Sequence, residues 1–80
     1  MSEEEFTESA LSFLKEIGAD TSNVGPETNL FESGVLDSLA TLAFLDFLDQ
    51  KRGEEIDIEN LRLDSISTIR KTYWFVMGKE

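Results

Sequence analysis

Eighty residues give room for one small domain and no more. Seventeen acidic side chains against seven basic ones, with no His, leave a formal net charge of −10, which argues against a nucleic-acid binder and favours a partner with a basic patch. With neither Cys nor His, the chain has no disulfide, no thiolate nucleophile, no imidazole base and no ordinary zinc site, so no metal is expected and a self-contained enzyme is disfavoured. The apolar fraction of 40% is too high for a disordered acidic tail, and no apolar run approaches the length needed to span a bilayer. The acidic start lacks the basic and apolar segments of a secretory leader, so a soluble cytoplasmic protein is expected.

Phe6, Ala10, Phe13, Leu14 and Ile17 recur at the spacing of one helical face, which predicts a first helix. Ser2 and Glu5 have the spacing of a capping box, and Gly18 supplies the stop. Residues 18–37 are rich in Gly, Asn and Pro and predict a long loop, with Leu30 and Phe31 as its anchors into the core. From Ser38 to Arg52 there is no Gly or Pro, and Leu and Ala recur, which predicts a second helix ending before Gly53. At 100° per residue its side chains divide into two faces. Ala40, Thr41, Phe44, Leu45, Phe47 and Leu48 form the one suited to a core. Leu39, Leu42, Ala43, Asp46 and Asp49 form the other, which mixes apolar groups with acids. That second face reads equally as ordinary surface with stray leucines or as a docking surface offering apolar contact and negative charge.

Ile56 and Ile58 alternate like a strand, but one short strand has nothing to pair with, so a turn and a short third helix near 59–62 are expected. Asp64 or Ser65 is expected to cap a last helix in which Ile66, Ile69, Tyr73 and Val76 form the buried stripe, with Trp74 and Phe75 off it. The fold class predicted is all-α: a small four-helix bundle, three main helices and a short third one, formed by residues 1–80 as a single domain. Charge is unevenly spread: residues 1–50 hold eleven acids and only Lys15, and residues 51–80 hold six charges of each sign.

The informative stretch is Asn29-Leu30-Phe31-Glu32-Ser33-Gly34-Val35-Leu36-Asp37-Ser38-Leu39, where the loop ends and the second helix begins. Asp37 is a natural cap, and Ser38, as the first helical residue, has its hydroxyl free to point outward. A helix start favours an attached phosphate, although Asp37 opposes it through like charge. An isolated Asp-Ser-Leu would be read as a cap only.

This segment resembles the modification site of the acyl carrier protein family, whose members carry Asp-Ser-Leu at the start of their second helix. The fragment is similar to discrete carriers such as D-alanyl carrier proteins and the free-standing carriers of polyketide and nonribosomal pathways. The resemblance implies that Ser38 receives 4'-phosphopantetheine from coenzyme A through a separate carrier protein synthase (a phosphopantetheinyl transferase). Asp37 and Leu39 would flank the cofactor site. The cofactor's thiol would hold an acyl or aminoacyl group as a thioester for fatty acid, polyketide, nonribosomal peptide or D-alanylation chemistry. It further implies that Leu39, Leu42, Ala43, Asp46 and Asp49 dock on basic patches of a loading enzyme and of downstream transferases. The composition agrees, since the chain has no thiol of its own and no imidazole to activate Ser38. The expected protein is a monomeric shuttle that is not itself a catalyst; the alternative is an unmodified acidic adaptor with the same fold.

Three departures from the family pattern stand out. Ala43 and Gln50 occupy places where Glu is common, which thins the docking charge. Arg52 stands where an apolar residue often closes the core, and the heavy tail Tyr73-Trp74-Phe75 is expected to supply that closure instead. A second Asp-Ser pair, Asp64-Ser65, lacks the Gly-x-Leu lead-in and reads as a helix cap. Phe6, Phe13, Phe44, Phe47 and Trp74 predict a crowded core that does not enclose a long acyl chain.

Overall fold

A computed structural model describes residues 2–78. Ser2 caps α1 (Glu3–Glu16) by accepting the Glu5 N–H at 3.1 Å, and its hydroxyl donates to the Glu5 carboxylate at 3.3 Å. The helix ends in a Schellman arrangement, Ala19 N–H to Leu14 C=O and Gly18 N–H to Lys15 C=O, which needs the left-handed φ of +92° at Gly18. Phe6, Ala10 and Leu14 are buried, as the stripe requires. Ile17, the last residue of the stripe at the helix end, is 38% exposed and contributes little to the core.

α2 (Ser38–Arg52) buries Phe44, Leu45, Phe47 and Leu48, with Ala40 and Thr41 half-buried at the edge of that face. The connection from α1 to α2 is made of turns strapped to the far end of the chain. Leu30, fully buried, donates its N–H to Ser67 C=O at 2.7 Å, and Arg70 N–H reaches Pro26 C=O at 2.9 Å. Burial of a leucine of this kind contributes about 1.5–3 kcal/mol. Asn29 Oδ1 accepts the N–H groups of both Phe31 and Glu32, and Gly34 turns the chain at φ +81°. The loop therefore delivers residue 37 to a fixed position. Leu30 is the deep anchor, and Phe31 is only half-buried.

The second half departs from the four-helix expectation. The described residues contain three α-helices and two 3-10 turns, Ile58–Asn60 and Leu63–Ile66, and no strand. No α-helix forms at 59–62. Asp57 holds the chain locally, its side chain accepting from Glu59 N–H and from Asn60 Nδ2, and its carbonyl accepting from Asn60 N–H. Such side-chain bonds compete with helix propagation.

The last helix, α3 (Ile69–Met77), starts later than expected. Thr68, not Asp64 or Ser65, is its cap, with an extended backbone and Oγ1 accepting the Lys71 N–H at 3.1 Å. Ile66 is buried from within the second 3-10 turn, not from α3.

The core is aromatic where α1, α2 and α3 meet. Phe13 and Phe47 stack at 4.7 Å, Phe44 lies 6.0 Å from Phe47, and Phe6 meets Tyr73 at 5.6 Å. Trp74 takes no part in this cluster and is 42% exposed, because it lies off the α3 stripe of Ile69, Thr72 and Val76. Phe75 is half-buried, with the Arg52 guanidinium 5.1 Å above its ring. A cation on an aromatic face thus stands where an apolar closure was expected. No helix among the described residues is long and apolar enough to cross a membrane.

Candidate functional site

The start of α2 is built by Asp37. Its backbone is extended, its Oδ1 accepts the Ala40 N–H at 2.8 Å, and its carbonyl accepts both the N–H and the hydroxyl of Thr41, at 2.9 and 2.6 Å. The bond to Ala40 satisfies a donor that a helix start leaves open, and the Thr41 N–H makes the first regular bond of the helix. They also fix Ser38 as the first helical residue, exposed to solvent; among the described residues no group engages its hydroxyl. No acid occupies the first turn of α2, so Asp37 is the carboxylate that opposes a phosphate there, and the helix dipole favours one by about 0.3–1 kcal/mol.

Two recesses share Asp37 as a common wall. One, of about 390 Å³, is lined by Phe31, Leu36, Asp37, Ser38, Thr41 and Leu63. The other, of about 250 Å³, lies between the end of α1 and the loop and includes Asp20, Gly34, Asp37 and Ala40. Asp20, in the wall of the second recess, accepts from the Ser22 hydroxyl and then from its backbone N–H, which hold its carboxyl below the usual range. Only the first recess contains Ser38, and its side walls are apolar. An exposed hydroxyl beside an apolar groove suits a linear group attached through a phosphodiester, the polar link in solvent and its chain along the wall.

The residues of the second α2 face are not equivalent in space. Leu39 and Leu42 are 79% and 59% exposed, and Asp46 is exposed beside them, within hydrogen-bonding range of Gln50 at 3.5 Å. Ala43 is half-buried. Asp49 is half-buried as well, and its Oδ1 accepts the Ile56 N–H at 2.9 Å, pinning the chain that leaves α2. Leu63 was missed by sequence reasoning. It is 60% exposed and forms part of the groove that contains Ser38, although it is remote from Ser38 in sequence. The only signal was weak: a lone leucine between Arg62 and Asp64 in a segment without periodicity.

Residues 12–73 match the phosphopantetheine attachment site family, and the chain belongs to it. Its cofactor is 4'-phosphopantetheine, held covalently, and domains of this kind are carriers that are not catalytic themselves and work with a phosphopantetheinyl transferase and partner enzymes. No curated protein and no solved structure matches the chain.

Proposed function

We propose that Ser38 is the attachment residue and that the protein carries an acyl or aminoacyl group between enzymes of a biosynthetic pathway in the cytoplasm, as a monomer. The observation that carries this reading is the exposed Ser38 at the capped start of α2, inside the family match and beside the groove. Asp37 orients the residue through its cap, and Leu39 borders it. The attached group supplies a thiol on a flexible arm, where cargo is held as a thioester. Everything else is recognition: Leu39, Leu42, Ala43 and Asp46 offer apolar contact and charge to basic partner enzymes, and Asp49 supports that face by holding the chain after α2. Attraction of this kind speeds encounter and weakens with salt, as a shuttle needs.

The aromatic packing among Phe6, Phe13, Phe44, Phe47 and Tyr73 supports a cargo carried outside the core. Thermal melting checks it: short and long acyl chains on the arm give the same midpoint, and a marked rise with chain length overturns it.

Incubation with coenzyme A and a promiscuous carrier protein synthase, followed by intact mass measurement, tests the central reading. One phosphopantetheinyl group adds to the wild type and none to Ser38→Ala. An unmodified wild type, or an equally modified variant, refutes it.

A further inference from the structure

Among the ion pairs of the described residues, Arg70 is the one cation that meets two carboxylates, and they come from separate segments. Its Nη1 donates to Glu27 of the loop at 2.8 Å, and its Nε lies 3.4 Å from Glu3 in the first turn of α1. The loop is shaped to meet it. Gly25 donates its N–H to Thr28 Oγ1 at 2.8 Å and accepts the Thr28 N–H at 3.2 Å, which closes a turn with Pro26 and Glu27 at its tip. The Pro26 carbonyl takes the Arg70 N–H and the Glu27 carboxylate takes the guanidinium, so one residue of α3 holds both tip residues. From there a short run of bonds leads to the groove. Leu30 N–H is held by Ser67 C=O, the Leu30 carbonyl accepts the Leu36 N–H at 2.9 Å, and Leu36 and Asp37 line the groove beside Ser38.

Residues 1–50 hold eleven acids and only Lys15, and the net charge of −10 sets self-repulsion against the compact state. Arg70 brings a cation from the charge-balanced second half onto two acids of the first. We infer that Arg70 is an ionic clasp whose release frees the loop, with the groove wall it supplies, while the three helices stay packed. The ring contacts that join α1, α2 and α3 include no loop residue, so they survive that release. Withdrawal of buried Leu30 keeps the released form minor. Salt acts on fold and clasp in opposite senses. Screening relieves the repulsion of the whole chain and tightens the fold, and it weakens exposed ion pairs and loosens the clasp. Glu27 is the weaker side, its side chain 75% exposed against 39% for Glu3. The inference concerns how the loop is moored and holds for the chain with or without a group on Ser38.

Amide hydrogen exchange of the full chain tests it, read at Leu30 and Leu36 in the loop and at Phe47 and Leu48 in α2, between about 0.01 M and about 1 M sodium chloride. In the wild type the loop amides exchange about threefold faster at high salt, as expected for the loss of two exposed ion pairs, and the α2 amides exchange more slowly. In Arg70→Met the loop amides are fast at both salt concentrations and their acceleration by salt is gone. Arg70→Lys, which keeps the charge, keeps that acceleration, and Glu27→Gln, which leaves the fold and the Glu3 pair in place, loses most of it. At fixed salt, added urea speeds the loop amides less steeply than the α2 amides, because less surface is exposed when the loop alone opens. Loop amides that slow with salt in step with α2, or that share its urea dependence, overturn the clasp, as does a salt acceleration that persists in Arg70→Met. None of these readings depends on arm transfer, so their failure leaves the assignment of Ser38 standing.

Discussion

The chain contains the dipeptide Asp-Ser twice, and the two copies end in different structures. Asp37 opens a 15-residue helix: its carbonyl is taken by Thr41, four residues on, and Ser38 is left exposed beside a groove. Asp64 lies inside a four-residue 3-10 turn: its carbonyl is taken by Ser67, three residues on, its carboxylate pairs with Lys71, and Ser65 is half-buried with its N–H bound to Arg62 C=O. The residues C-terminal to each pair decide the outcome. Leu39-Ala40-Thr41-Leu42-Ala43 propagates a helix, whereas Ser67 and Thr68 offer side-chain bonds that stop one and begin another. The two hydroxyls thus differ in setting, exposed beside a groove at Ser38 and half-buried within a turn at Ser65.

The sharpest break of this comparison is substitution of each serine. Ser65→Ala accepts the arm at the wild-type rate, and Ser38→Ala accepts none, by intact mass; any arm on Ser65 in the Ser38→Ala protein ends the distinction.

A smaller effect separates the two cap residues. Asp37→Ala and Thr68→Ala each lose one capping bond, so each lowers unfolding free energy by about 1 kcal/mol in urea titrations. Only Asp37→Ala also slows arm transfer, since Thr68 caps α3 and lies outside the groove. Equal slowing in both variants would mean that global stability, not presentation of Ser38, controls the rate.

The smallest effect concerns the recess on the other side of Asp37. The Asp20 carboxyl is held low by Ser22, so this bond contributes stability above the unfolded-state pKa and loses it as pH falls through the folded one. Ser22→Ala removes the larger donor. The Asp20 titration followed by NMR then moves upward toward the ordinary range, and arm transfer at neutral pH is unchanged. A fixed titration would assign the lowering to another source.

Much of the molecule was legible because its signals are local. The buried faces of α1 and α2, the Ser2 and Asp37 caps, and the stops at Gly18 and Gly53 all depend on residues within a few positions of one another. The stretch from Asp57 to Thr68 was not legible in this way. There Asp57, Asp64 and Ser67 each have a side-chain or carbonyl bond that competes with a regular helix, Thr68 starts α3 late, and Ile56 and Ile66 are held by burial in the shared core.

By itself the sequence determined where the second helix begins, which residue caps it and which hydroxyl stands first, because a helix start is written in a handful of adjacent side chains. Only the tertiary structure decided that Leu63 faces Ser38 across a groove, that Asp49 is spent on Ile56, that Trp74 lies outside the core and that Arg52 covers Phe75. Those outcomes depend on which surfaces meet when three helices pack. Periodicity within one segment carries no information about the segment that will lie opposite it.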